Sequence, residues 1–198
     1  MCYIKILLSI IRLLNENSWL AEKLYRIFRL PRTIISFEYK LATGNNENEF
    51  CHLRQDQNTG NLCWFFRLGI SNSGKMPINN CDVRLEKIER ENLGKFKKVG
   101  NFSPIFLHWA NDYSDSSRDI HYNTPNYLDI VHTMDSVNNF FVFAKKKNIN
   151  AGSNIIWPAG EYLLYIKILG DNIIPKEKTI YINFNGQWGQ LKMDLLPK

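Results

Sequence analysis

A 198-residue chain that is 44% hydrophobic and 13% aromatic is too apolar to remain disordered and long enough for one domain with an appendage. Its four cysteines (Cys2, Cys51, Cys63 and Cys81) contain no CxxC pair, which argues against a zinc site, and free thiols are expected. The net charge of +6 is unevenly placed: residues 1–40 carry seven Lys/Arg against three Glu, a net of +4, which leaves +2 for the remaining 158 residues. The excess belongs to a segment suited to an acidic surface or partner.

Residues 1–14 (MCYIKILLSIIRLL) are apolar but interrupted by Lys5, Ser9 and Arg12, so the uncharged runs are far shorter than the ~20 residues of a membrane span. Lys5, Ser9, Arg12 and Glu16 recur at helical spacing and form one polar stripe. No small-x-small cleavage site follows Leu14, which disfavours a signal peptide. Asn17 or Ser18 can cap a second helix over 19–30, which Pro31 ends. Residues 1–32 are thus predicted to be a basic, two-helix amphipathic appendage. Leu7, Leu8, Ile11, Leu24, Ile27 and Phe28 are its expected apolar contacts, and Lys5, Arg12, Lys23, Arg26, Arg29 and Arg32 its charged ones. An anionic membrane surface and a protein partner, including a second copy, both fit this pattern.

From residue 33 onward the hydrophobic period becomes two. Strands are predicted over 33–41, 50–54, 62–71, 80–88, 95–99, 104–109, 140–144, 160–170 and 179–184, with a last one near 188–193. A loop is expected at 90–94 and a type I′ hairpin at Asn185-Gly186. Trp64, Phe66, Leu68 and Ile70 should share one face, and Cys63, Phe65, Arg67 and Gly69 the other. The stretch Gly69–Met76 (GISNSGKM) imitates a phosphate-binding loop. However, Pro77 and a period-two segment follow where such a loop needs a helix, and Met76 stands where a metal-binding hydroxyl belongs. A turn between strands is the better reading.

The stretch FFRLGISNSGKMPINNCDV resembles the strand–turn–strand of bacterial immunoglobulin-like modules, and PAGEY before a long strand resembles fibronectin-like and adhesion-related domains. The body, about residues 33–194 of a domain expected over 33–198, is similar to uncharacterised prokaryotic proteins that join a hydrophobic N-terminal segment to such a module. The resemblance implies an all-β, antiparallel immunoglobulin-like sandwich with a binding or scaffolding role, and a tyrosine-corner role for Tyr162. The antibody-type disulfide is missing, because residues 160–170 hold no Cys.

The expected function is a non-enzymatic accessory or adaptor module without a cofactor or small-molecule substrate, cytoplasmic and peripheral at the inner membrane face. Two alternatives carry chemistry. One is a metal-dependent binder or hydrolase using the Asp/His-rich region 108–132, where Asp119 and His121 would share a strand face. The other is nucleic-acid binding through Lys95, Lys97, Lys98 and Lys145–Lys147, with Phe65 or Tyr165 stacking on bases. The bland reading of both is a solvated loop and a charged strand end. Cys51 and His52 are adjacent on a strand and point to opposite faces, so they form no dyad.

Overall fold

The computed structural model describes residues 19, 32–36, 48–55, 60–112, 116–145 and 156–197. Among these, every named strand pair is antiparallel, and the strands form two seven-stranded sheets. The predicted appendage helices fall outside the described residues, with Trp19 and Arg32 the exceptions.

The first sheet is built on β3 (Leu62–Asn72) and β9 (Asn126–Met134), paired along their length. The free side of β3 is shared by β2 (Cys51–Gln55) near its start and β1 (Thr33–Ser36) near its end. β9 is flanked by β7 (His108–Trp109) and β10 (Asn139–Val142), and β11 (Ile156–Pro158) closes that edge. The second sheet is built on β4 (Ile78–Asn92) and β12 (Gly160–Leu169), continued by β13 (Lys176–Phe184) and β14 (Leu191–Leu196). Beyond β4 lie β5 (Lys95–Lys98), β6 (Ile105–Phe106) and β8 (Arg118–Ile120).

Period-two patterning explains how the sheets bury one common core. Trp64, Phe66, Leu68 and Ile70 of β3 point inward as predicted and meet Tyr162, Leu164, Ile166 and Ile168 of β12 in a single buried cluster. Tyr162 lies just past the corner where the chain leaves β11 for the opposite sheet. Its hydroxyl donates to the Pro158 carbonyl at 2.9 Å, while Phe140 and Trp157 pack edge-on against its ring. Gly160, at φ 151°, makes that corner, and a side chain there would crowd Arg90 at 3.3 Å.

After β3 ends at Asn72, the rest of the Gly69–Met76 stretch is a turn, and it carries the chain from one sheet to the other. The Asn72 amide donates to the Met76 carbonyl (2.7 Å), and its oxygen accepts the Gly74 N–H (2.8 Å). β1 and β2 confirm strands at the predicted places, with 37–47 outside the described residues.

Several boundaries differ from the sequence expectation, each for a local reason. β4 runs on to Asn92, and the expected loop shrinks to Leu93-Gly94, both at positive φ (54° and 77°), a tight hairpin built without an Asn-Gly pair. The predicted strand at 104–109 is two short ones in different sheets, because the chain crosses over at Leu107, whose N–H bonds to Val83 of the second sheet. Asn185-Gly186 does not form a two-residue turn. Phe184 pairs with Leu191 across a six-residue loop, and Trp188 sits in that loop, 6.4 Å from the Trp64 ring, instead of opening the last strand. Packing one indole on another outweighs the local turn preference. The polar region at 111–125 also contributes a strand: Ile120 of β8 is fully buried against β4.

Candidate interaction face

The outer side of the first sheet follows from the same alternation. With Phe66 inward, its neighbours Phe65 and Arg67 face outward. Cross-strand pairing then sets His52 beside Phe65, Phe65 beside His132, and His132 beside Phe141. The rings are in contact: His132 stacks between Phe65 (5.2 Å) and Phe141 (4.9 Å), and Phe143 meets His132, Phe65 and His108 edge-on at 5.6, 5.7 and 5.0 Å. All four aromatic side chains in this row, Phe65, His132, Phe141 and Phe143, are half-buried.

A second row carries charge. Arg67 pairs in register with Asp129, and Asp129 with His108 on β7. Arg67 Nε donates to Asp129 Oδ1 at 2.7 Å, with side-chain exposures of 6% and 5%. A bulge on β9 makes this possible. The register shifts between Phe66 and Arg67, so Ile130 and Val131 both turn inward while Asp129 remains outside. Burial lifts the Asp129 carboxyl above its usual range, and Arg67, then Arg54 and His108, draw it back down. Arg67 Nη2 is buried without a hydrogen-bond partner, which leaves one donor over in this row. Phe50 closes one end, edge-on to Tyr127 at 5.6 Å and 3.1 Å from where a Cβ on Gly69 would stand. The Tyr127 hydroxyl, bonded to Glu49, has its pKa pushed up to about 12, by burial first and then by that carboxylate.

The outer side of the second sheet is ordinary by comparison. Lys87 lies 3.7 Å from the centre of the Tyr165 ring, and Glu89 accepts from both Lys87 (2.9 Å) and the Tyr165 hydroxyl (2.6 Å). Those bonds, the tyrosine's first, hold the Glu89 carboxyl below its usual range. A surface hollow lined by Lys87, Tyr165, Glu177, Thr179 and Leu196 lies on this side.

The residues singled out from sequence scatter. Lys5, Leu7, Leu8, Ile11, Arg12, Lys23, Leu24, Arg26, Ile27, Phe28 and Arg29 lie outside the described residues. Arg32 is exposed at the mouth of β1, its carbonyl accepting the Ser73 N–H at 2.8 Å. Asp119 and His121 are both exposed, but Asp119 accepts the Asn80 N–H (2.9 Å) and Asp112 pairs with Arg118 (3.1 Å). Among the described residues no three His, Cys, Asp or Glu side chains are placed to share a metal ion. Lys145 is not part of a basic surface. It is buried, bonded to Asp82 and to the Ser116 carbonyl (2.7 Å). Its partner Asp82 lies seven residues along β4 from Glu89, which pairs with Lys98, and farther from the partners of Lys97 and Lys95, so Lys145 is roughly 23 Å or more from the exposed Lys95, Lys97 and Lys98. Phe65 and Tyr165 are engaged by His132 and Lys87 and belong to opposite sheets. Cys51, Cys63 and Cys81 are buried, and the Cys81 thiol is pushed up to about 12 by burial, with Asp82 adding to it.

The aromatic row itself escaped the sequence reading, although a signal was present. WFF at 64–66 and FFVF at 140–143 place aromatic rings at successive positions, which obliges a strand to be apolar on both faces. No protein-family model, curated protein or solved structure matches this chain.

Proposed function

We propose that the protein is a non-enzymatic accessory or adaptor module of immunoglobulin-like type. The outer face of the first sheet is its contact surface, and the basic segment 1–32 ties it to a membrane surface or a larger assembly. The observation that carries this reading is the aromatic row Phe65–His132–Phe141 with Phe143 on the side of a sandwich that ordinarily faces water. The occupant is a protein segment that covers the rings with apolar side chains and offers an acceptor to Arg67 Nη2. A buried donor without an acceptor is costly, and a carbonyl or carboxylate from a partner removes that cost. The bond from Tyr162 to Pro158 at a sheet-crossing corner supports the immunoglobulin-like assignment. Among the described residues no helix is long and apolar enough to cross a membrane.

The test is photo-crosslinking of the full chain in cells from a probe at Phe141, with Lys178 on the opposite sheet as the control position. A discrete adduct with another protein from Phe141 alone is the expected result. Equal adducts from both positions, or only adducts within the chain, would contradict a partner at this face. For the tether, the full chain should float with anionic vesicles and lose that association as salt rises; a chain that stays in the dense fraction on every lipid removes the membrane arm.

A further inference from the structure

The hairpin of β4 and β5 breaks local rules at its tip. The register between β12 and β4 ends at Arg90, and beyond it β4 continues beside β5, with Glu91 opposite Phe96 and Asn92 opposite Lys95. The turn is Leu93-Gly94 with both residues at positive φ, and the first position of such a turn favours Asn, Asp or Gly. Leu93 stands there at φ 54° with 92% of its surface exposed. A bulky side chain is disfavoured in the left-handed region, and an aliphatic one gains nothing from water. Neither the turn nor the core accounts for a leucine at this position.

Charge is set against the fold as well. Arg90 lies directly across the hairpin from Lys97, and Lys95 follows two residues on along the same face. Like charges in direct register destabilise a strand pair. The carboxylates fall on the other face and are engaged: Glu89 accepts from Lys87 and Tyr165, and Glu91 accepts the Gly94 N–H. Lysines on an edge strand prevent edge pairing, but that role does not call for a leucine ahead of them. We infer that the Leu93 tip of this hairpin inserts at the headgroup–acyl boundary of an anionic bilayer, with Arg90, Lys95 and Lys97 against the lipid headgroups. Leu93 then leaves water, and the negative surface potential offsets the repulsion within the cationic face. A nucleic acid would meet the same cations but would leave Leu93 in water. The inference rests on neither residues 1–32 nor the first-sheet face.

Sedimentation of the full chain with vesicles of equal parts phosphatidylcholine and phosphatidylserine at low salt tests it, beside thermal unfolding of each variant. Leu93→Asn should weaken vesicle binding about tenfold, through loss of one inserted aliphatic side chain. Its unfolding midpoint should hold or rise, because Asn tolerates the left-handed region better than Leu. Leu93→Trp should bind at least as tightly as the wild type, since an indole suits the membrane interface. Lys95→Gln/Lys97→Gln should also lose about tenfold, a difference that shrinks as salt rises. A wild type that ignores these vesicles overturns the inference and removes the membrane arm of the proposed tether with it. Binding that survives Leu93→Asn and the lysine variant, as attachment through residues 1–32 alone would give, overturns the inference and spares the tether. Loss in the lysine variant alone, the pattern of a polyanion site such as one for nucleic acid, overturns it too.

Discussion

One outer row of the first sheet reads His52, Phe65, His132, Phe141. The matching rows of the second read Lys87, Tyr165, Thr179, Leu196 and Glu89, Leu163, Tyr181, Asp194. Both sheets obey the same inward alternation, and they differ only in what they turn away from the core. The second sheet meets water with charges that pair locally. The first holds a buried ion pair and stacked rings on the side where solvent is expected. A sandwich needs one apolar face per sheet to fold, so the extra aromatic rings outside the first sheet are the observation on which the proposed contact surface rests.

The sharpest way to break this comparison is through its two ion pairs. Arg67→Ala strands Asp129 in a buried row and should cost about 3–5 kcal/mol in urea unfolding. Replacing both partners by Met and Leu should recover most of that loss, since burial already works against the Asp129 charge. Removing Phe65 and Phe141 together as serines should cost about 2–4 kcal/mol, less than core truncations, because both rings are only half-buried. Lys87→Ala on the second sheet should stay within about 1 kcal/mol. If the Lys87 and Arg67 variants lose comparable stability, the two faces are not different environments.

Acid titration separates the faces by sign. The Asp129 pKa is raised in the folded state, so its contribution falls as pH rises from the ordinary value of 3.8 through the folded pKa, and is flat beyond it. The Glu89 pKa is lowered, so its contribution is present above 4.5 and is lost as pH falls through the folded pKa. Subtracting the Asp129→Asn and Glu89→Gln stability profiles from the wild type should therefore give slopes of opposite sign. Slopes of the same sign would show that Asp129 behaves as an exposed carboxylate.

Period-two patterning made the core legible: Trp64 through Ile70 and Tyr162 through Ile168 lie where their alternation put them, and the turn after Asn72 followed from Pro77. What the sequence could not show was which sheet each strand joins. The division of 104–109 between two sheets depends on the Leu107–Val83 bond, and the burial of Lys145 depends on Asp82, sixty-three residues away. The interaction face needs three strands brought together in one register, and the β9 bulge that keeps Asp129 outside leaves no trace in β9 itself. Lys145 inside a run of three lysines, and Asp119 with His121 at strand spacing, offer chemistry in sequence, but Lys145 bonds Asp82 and Asp119 accepts the Asn80 N–H.

The most direct measurement is the yield of the partner adduct from a probe at Phe143 in two full-chain variants of matched fold, Phe65→Ser/Phe141→Ser and Lys87→Ser/Tyr165→Ser. The expected result is loss of the adduct in the first and retention in the second. Retention in the first, or equal loss in both, would contradict the assignment of the aromatic face as the contact surface.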